Sequence, residues 1–232
     1  MVTKSAYIKK GSRLAKARAR PYKKSKASKT FAKKVKAVVM KTVETKSRPW
    51  GYGKLELNHN VPYAITLNGT GNPGPMPPQG TQDYERIGDI INTSGIKLRL
   101  MCGQKADRPN VTFKFWVVQV PKGSGYSYNQ WFMNYTGNCL LDSINTDFVK
   151  ILATHTWKAP ETYSAETREV TFTKQWWIPR RRVVKFGPTN ASLSHNDSDV
   201  HLLCAAYDAY GTLVTDNIAY VQLHVETFYR DP

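Results

Sequence analysis

The sequence has few of the features on which secreted scaffolds and membrane proteins depend. It contains only three cysteines, Cys102, Cys139 and Cys204, without paired spacing, so we expect buried free thiols rather than a disulfide framework. No run of 18 apolar residues occurs, and no apolar segment follows Met1. Neither a membrane-spanning helix nor a secretory signal is therefore expected, and a reducing compartment suits the thiols.

Motifs of catalysis are also missing. The five histidines are remote from one another in sequence, and there is no nucleophile elbow, Walker loop or dinucleotide fingerprint. Oxygen atoms at residues 196–199 could bind a hard cation, but a solvated turn is the favoured interpretation. Asp142 and Asp147 are the nearest paired carboxylates, and their spacing does not recommend them for sugar chemistry. The sequence therefore predicts neither an enzyme, nor a metal site, nor a cofactor.

Acidic residues are almost missing from the first 48 residues, which hold 17 Lys and Arg and the single acid Glu44. This segment carries +16 of the formal net charge of +17, whereas residues 49–232 hold 17 bases and 16 acids. Because apolar residues are few and like charges repel, we expect a mobile, disordered arm. Such an arm can replace condensed counterions on a polyanion. Nucleic acid is thus the leading partner, and a solubilising or targeting tail is the alternative.

The sequence of the basic arm is not uniform along its length. Clusters at residues 13–21 and 23–26 are typical of nuclear import signals as well as of phosphate contacts. Between Ser28 and Val43 the apolar residues fall at helical spacing, which predicts a helix that forms on contact with nucleic acid or with the rest of the chain. The candidate nucleic-acid-binding residues of the arm are Lys9, Lys10, Arg13, Lys16, Arg18, Arg20, Lys23, Lys24, Lys26, Lys29, Lys33, Lys34 and Lys36.

Residues 49–232 are expected to form one domain made of strands. Apolar and polar residues alternate in several segments, as in Ile96 to Cys102, and the segments are rich in β-branched and aromatic residues. The predicted strands are 54–58, 63–68, 87–91, 96–102, 111–120, 148–157, 168–178, 181–186, 200–208 and 218–229, with a turn at Ser94–Gly95 and a long surface loop at 69–80. This pattern predicts an all-β sandwich or barrel without fixing the strand order.

A second basic feature lies inside this domain, where Trp176 and Trp177 precede Arg180, Arg181 and Arg182. Alternation along a strand predicts that Arg180 and Arg182 share one face. One interpretation is a nucleic-acid surface in which these two arginines contact phosphates and Trp176 stacks on an unpaired base. The other is a sheet edge protected by charge, with the indoles in the core.

Several segments resemble a known family. They are the basic arm, the sequence YERIGDII at 84–91, the basic strand IKLRL at 96–100 and the strand VTFKFWVV at 111–118. Together they resemble the capsid proteins of small circular Rep-encoding single-stranded DNA viruses of the circovirus-like kind, over nearly the whole chain. The order Arg86-x-Gly88-x-x-Ile91, followed by an alternating basic strand, is the most specific element.

The resemblance implies a single eight-stranded jelly roll and a non-catalytic capsid function. It implies a shell of about sixty copies with the arms inside, in which residues 1–48 bind a single-stranded DNA genome and host nuclear import factors. The protein would lie in the virion and, during assembly, in the host nucleus. An unidentified host receptor would bind the outward loops. Contacts between copies are expected at the loop 69–80 and at Gly123–Tyr128.

Three alternatives remain open at this stage. The first alternative is the coat protein of a satellite-type virus with an RNA cargo. Lys outnumbers Arg in the arm, 13 to 4, whereas the arms of many circoviruses are dominated by Arg. The second is a cellular nucleic-acid-binding β-domain protein with a basic tail, which would remain a small oligomer. The third is a β-sandwich enzyme or lectin that acts on sugars.

Overall fold

The computed structural model describes residues 30–31, 33–35, 38, 43–69, 74–108, 110–133, 136–158, 171–187, 196–210 and 212–231. The chain forms two compact units, Met1–Val43 and Glu44–Pro232. The first strand begins at Lys46, so the last three residues of the segment 1–48 lie in the sheet of the second unit. No helix in the described part of the chain has the length and apolar character needed to cross a membrane.

Strands dominate the second unit. The elements are β1 (Lys46–Asn58), β2 (Tyr63–Thr66), β3 (Ile90–Gln104), β4 (Val111–Val120), α1 (Tyr128–Trp131), β5 (Phe132–Met133), β6 (Ser143–Ile144), β7 (Lys150–Lys158), β8 (Thr171–Lys185), β9 (Asp199–Asp208) and β10 (Asn217–Arg230). Eight of them form two antiparallel four-stranded sheets, and β5 pairs with β6 alone. The all-β prediction is confirmed.

The two sheets have the strand orders β1-β10-β3-β8 and β2-β9-β4-β7. The pairs β1/β10, β2/β9, β3/β8 and β4/β7 are all antiparallel and are nested along the chain, as in one long hairpin rolled onto itself. This nesting is the jelly roll that the resemblance implied. Distant parts of the sequence therefore become neighbours in the same sheet.

The main core lies between the two sheets. From β3, Ile96, Leu98 and Leu100 point inward and are at most 3% exposed, while Arg99 between them is exposed. They pack against inward residues of β4, such as Phe113 and Phe115. The period-two pattern thus places the apolar residues of both sheets in one layer, whose burial is the main stabilising term of the fold.

The outer face of the second sheet is covered by the excursion between β4 and β7, residues 121–149. Trp131 and Phe132 of this excursion pack with Trp116 and Leu203 in a second core. Asp142 secures the excursion, because its carboxylate accepts hydrogen bonds from the Tyr128 hydroxyl and from the Thr136 backbone and hydroxyl. Consequently β9 is buried on both faces over most of its length.

The prediction of a turn at Ser94–Gly95 is wrong, because β3 runs through this position as one strand. A register shift falls between Thr93 and Gly95, and Gly95 is paired with Pro179 of β8. The proline, which has no amide donor, is accommodated where the ladder is already interrupted. The breaks that sequence reasoning placed in β3 and β8 are thus one shared β-bulge.

Substitution of Gly95 by alanine is expected to destabilise the sheet. A Cβ at this position would lie 2.4 Å from Cζ2 of Trp177 and 2.8 Å from the backbone oxygen of Ile178, which cannot move independently of β8. We expect a loss of about 1–3 kcal/mol in the free energy of unfolding, measured by denaturant titration. Gly51→Ala is the matched control, because no heavy atom among the described residues lies within 4 Å of its new Cβ. Equal stabilities of the two variants would contradict the prediction.

The expected surface loop at 69–80 is only partly a surface loop. Residues 74–77 are buried, and Met76 packs with Ile91, Val184, Phe186 and Tyr229. This part of the loop closes the end of the sandwich because it supplies the apolar side chains that the ends of β3, β8 and β10 need. Residues 70–73 lie outside the described residues.

The motif Arg86-x-Gly88-x-x-Ile91 also has a structural role here. Arg86 is fully buried, donates to the Gly88 carbonyl and to Asp89, and places its guanidinium carbon 4.0 Å from the centroid of the Phe186 ring. Ile91 belongs to the same small core. The motif therefore joins the segment before β3 to the end of β8.

Candidate nucleic-acid interface

Most candidate residues of the arm lie outside the described residues, namely Lys9, Lys10, Arg13, Lys16, Arg18, Arg20, Lys23, Lys24, Lys26, Lys29 and Lys36. Residues 30–31, 33–35 and 38 are helical, in agreement with the helix expected between Ser28 and Val43. Within it, Lys33 and Lys34 are exposed, and so are the apolar side chains of Phe31, Val35 and Val38.

In the first sheet, the start of β1 and the basic end of β8 lie at opposite ends of one row of paired residues. Lys46 pairs with Tyr229, Tyr229 with Thr93, and Thr93 with Arg182, so these residues form one row across the four strands. The Lys46 ammonium lies 3.1 Å from Asp231, which fixes this end of β1. Arg182 is exposed at the far end of the row. Of Arg180 and Arg182, the two arginines proposed from sequence to contact phosphates, Arg182 is the exposed one.

Arg180 must be removed from the candidate interface. Its side chain is 6% exposed, and its guanidinium donates to the Asp197 carboxylate at 3.0 and 2.8 Å, to the Ser198 carbonyl at 2.7 Å and to Gln119 at 3.4 Å. These partners occupy the donors that a phosphate would need. The expectation that Arg180 and Arg182 act together on one face is therefore wrong. Asp197, considered above as an oxygen ligand for a cation, instead neutralises Arg180.

The interpretation in which Trp176 stacks on an unpaired base is also wrong. Its ring is partly buried against the main core, 6.2 Å from Phe115 and 5.9 Å from His155 between ring centroids. The neighbouring Trp177 is the exposed indole, 52% accessible, with its ring 5.4 Å from Phe228. The alternation along β8 as far as Arg180 was predicted correctly, but it is interrupted beyond Arg180, and the choice of Trp176 as the outward indole was wrong.

The paired carboxylates do not form a site. Asp142 is 3% exposed and its oxygens already accept from Tyr128 and Thr136, so it serves the excursion rather than a substrate. The hydrogen bond to Asp142 and, above all, burial raise the pKa of the Tyr128 hydroxyl. Within the described residues, no group of three potential metal-ligating side chains occurs.

The cysteines are buried and free, as expected. Burial raises the pKa of all three thiols, to about 12 for Cys139. A raised pKa keeps each sulfur protonated and poorly nucleophilic at neutral pH. Cys204 lies in the main core while His201 lies on the other face of β9, so the two side chains point in opposite directions.

His201 makes stability depend on pH. Its ring packs edge-on against Trp131 of the excursion with 5.1 Å between centroids, and its Nδ1 lies 3.2 Å from the Thr66 hydroxyl. Burial lowers the pKa of His201 from its ordinary value of 6.5, an effect that Asp199 partly opposes. Below pH 6.5 the His201 imidazole is protonated in the unfolded chain, whereas in the folded chain it stays neutral down to its lowered pKa. The free energy of unfolding therefore decreases as the pH decreases.

We expect the free energy of unfolding to decrease by up to about 1.4 kcal/mol per pH unit below pH 6.5 through His201 alone. Denaturant titrations of the protein and of His201→Gln at a series of pH values measure this slope. The variant should show a shallower slope in acid and a constant stability difference from the parent above neutrality. Parallel curves throughout would contradict the assignment to His201.

The fold and the candidate interface define a class of protein: a jelly-roll sandwich with a polycationic segment attached to the strand that begins one of its sheets. No family model matches the chain, and no curated protein matches it in sequence.

Solved structures do match it, at 8% identity. A chain of the infectious bursal disease virus Gx strain aligns with a TM-score of 0.30 over 79% of this chain and 32% of its own, so the present chain spans about a third of it. A chain of the semi-empty VLP of Macrobrachium rosenbergii nodavirus aligns with a TM-score of 0.31 over 100% of this chain and 94% of its own. VP1 of Trichodysplasia spinulosa-associated polyomavirus gives a TM-score of 0.22 over 80% and 92%. At these values the superpositions carry no argument about function.

Proposed function

We propose that this chain is the coat protein of a small circular Rep-encoding single-stranded DNA virus. It assembles into a closed shell of about sixty copies and packages the genome through its basic N-terminal segment. The role is structural rather than catalytic. The observation that carries the proposal is the separation of charge: +16 lies in residues 1–48, attached to a nearly neutral jelly-roll sandwich.

The size of this charge suits a packaged genome. About 60 copies with 16 net charges each would supply roughly 960 positive charges inside the shell, enough for about a thousand nucleotides at one charge each. A longer genome would need small cations or bases of the sandwich in addition. The binding is electrostatic, so it is non-specific in sequence and weakens with salt.

Contacts between copies are supported by apolar side chains in the loops. In the loop between β9 and β10, Tyr210 is 75%, Leu213 68% and Val214 55% exposed, and in the segment before β3 Ile87 is 68% exposed. Such groups are typical of surfaces that become buried on association. We propose that these loops, together with the loop 69–80 and Gly123–Tyr128, form the contacts within the shell.

The basic clusters at 13–21 and 23–26 support a second role for the same segment. They would bind host import factors and bring the newly made protein to the nucleus, where a single-stranded DNA genome would be packaged. The protein would therefore be found in the host nucleus during assembly and in the virion afterwards. An unidentified host receptor would bind the outward loops.

The test is expression of the full chain, followed by size-exclusion chromatography with absorbance at 260 and 280 nm and negative-stain microscopy. Uniform closed particles rich in nucleic acid are the expected result. Digestion of the extracted nucleic acid with DNase or RNase identifies its type. A small complex that dissociates in salt and forms no shells would overturn the proposal and favour a cellular nucleic-acid-binding protein.

A further inference from the structure

The outer face of the first sheet is open to solvent, whereas the excursion 121–149 covers the outer face of the second sheet. No helix or strand in the described part of the chain lies over the outward residues of β1, β10, β3 and β8, which we call the open sheet face. The side chains of β8 and β10 that point toward solvent are Trp177, Gln175, Tyr220, Gln222 and His224. Those of β3 are Lys97, Arg99 and Met101. A coat protein that keeps one sheet uncovered has a rigid surface available for a ligand.

Two aromatic side chains of the open sheet face, Trp177 and Tyr220, each lie over a glycine of β3. A Cβ on Gly95 would lie 2.4 Å from Cζ2 of Trp177, and a Cβ on Gly103 would lie 2.5 Å from Cζ and Oη of Tyr220. The rings therefore occupy the space that side chains of β3 would fill. Gly95 and Gly103 are eight residues apart, which places the two rings about 26 Å apart along the sheet.

The surface between the two rings is concave and basic. A depression of about 600 Å³ is lined by Arg99, Met101, Gln175, Gln222 and His224. A second depression, of about 450 Å³, shares Met101 and Gln222 with it and extends the surface to Lys54, Lys105, Asp107 and Tyr220. The buried Nδ1 of His224 has no hydrogen-bond partner among the described residues, so this surface also contains an unused polar atom.

The charges on this face favour an anionic ligand. Glu226 is paired with Arg99 at 3.9 Å and Glu56 with Lys54 at 3.5 Å. Within the described residues, Lys97 and Lys105 form no ion pair, although the exposed Asp107 lines the same depression as Lys105. The face therefore carries the bases Lys54, Lys97, Arg99 and Lys105 against the acids Glu56, Asp107 and Glu226, a small positive excess. The Lys54 ammonium lies 4.7 Å from the centroid of Tyr220. This exposed lysine can move to a phosphate when another flat group covers the ring.

We propose that the open sheet face binds a stretch of several unpaired nucleotides, with bases stacked on Trp177 and Tyr220 and phosphates near Lys97, Arg99 and Lys105. The proposal rests on the proposed function, because it assigns the packaged nucleic acid a second, structured contact besides the basic arm. Unpaired bases offer the ring faces that stacking requires, whereas those of a duplex are already stacked. The face therefore selects single strands.

The experiment uses the full-length protein and two substitutions, Trp177→Leu and Tyr220→Leu, with Ile151→Ala as the control at an exposed apolar residue of β7 in the other sheet. Binding of a fluorescent oligothymidine of about 12 nucleotides is measured as a function of salt. The contribution of the basic arm decreases steeply with salt, whereas stacking decreases little, so the difference is greatest at high salt. Each of the two variants is expected to bind about tenfold more weakly there, and Ile151→Ala should bind as the parent does.

A duplex of the same length separates stacking from charge, because its binding should be unchanged in all three variants. Ultraviolet cross-linking of filled particles, with mass spectrometry of the cross-linked peptides, tests the proposal without any substitution that could impair folding. Cross-links at Trp177 or Tyr220 are the expected result. Cross-links confined to residues 1–48 would overturn this proposal and leave the proposed function intact, whereas particles without nucleic acid would overturn the proposed function itself.

A second copy of the chain is the competing occupant of the open sheet face. Hydrogen exchange of β10 and β3 in filled and emptied particles distinguishes the two. Additional protection only in filled particles agrees with nucleic acid as the occupant. Equal protection of the face in both would show that another copy covers it and would overturn the proposal.

Discussion

A variant that lacks residues 1–43 is expected to package no nucleic acid and to stay outside the nucleus, while its sandwich keeps its fold. The deletion removes 15 Lys and Arg and no acid, which is almost the whole charge excess of the chain. Counterion release from the genome is lost with these charges. The cut after Val43 spares β1 and the contact of Lys46 with Asp231, whereas a cut after Arg48 would remove three residues of the first strand.

Two measurements check this expectation. The ratio of absorbance at 260 and 280 nm of the purified particles reports nucleic acid, and a fluorescent fusion in cells reports nuclear import. A full-length variant with Gln in place of every Lys and Arg of residues 1–43 keeps the length and removes the charge. Normal packaging by either variant would contradict the role of the arm in packaging. Unfolding of the truncated chain would contradict the expectation that the sandwich folds without the arm.

Replacement of Arg180 by alanine is expected to give the largest loss of stability of any single substitution discussed for β8. Removal of the guanidinium leaves the carboxylate of Asp197, 9% exposed, without its buried partner and also removes the donor to the Ser198 carbonyl. Breaking a buried ion pair by removal of one partner typically costs about 3–5 kcal/mol. We expect a loss of that size in the free energy of unfolding, measured by denaturant titration.

Arg181→Ala is the matched control, since Arg181 is the next residue of the same strand and is exposed. It should change stability by no more than about 0.5 kcal/mol. The double substitution Arg180→Met with Asp197→Leu should recover much of the loss, because it leaves no buried charge unpaired. Equal effects of Arg180→Ala and Arg181→Ala would show that the ion pair contributes little.

Most of the strands could be predicted from sequence because alternation is a local property of the chain. The segments at 111–120 and 200–208 agree with β4 and β9 to within one residue. The prediction of a turn at Gly95 was wrong, because a Ser-Gly pair is typical both of a turn and of a β-bulge. The sequence does not show the partner strand that would distinguish the two. Only the pairing of β3 with β8 shows that Gly95 and Pro179 form one irregularity.

The candidate interface was harder to predict, because it depends on which side of β8 faces the core. Alternation separates Trp176 from Trp177 but is symmetrical with respect to the two faces. Arg180 lies in a charged run typical of exposed surface, and only the approach of Asp197 and Ser198, 17 and 18 residues further along the chain, makes it internal. The pairs Trp177–Gly95 and Tyr220–Gly103 join different strands, so no local signal could have found them.

The sequence by itself determined the division into a polycationic segment and a nearly neutral β domain, because charge and alternation are counted along the chain. The tertiary structure alone decided the strand order, the burial of Arg180 and the choice of Trp177 as the exposed indole. It also decided that the excursion 121–149 covers one sheet and leaves the other open. These properties depend on contacts between residues far apart in sequence, and such contacts arise only when the nested strand pairs close into the sandwich.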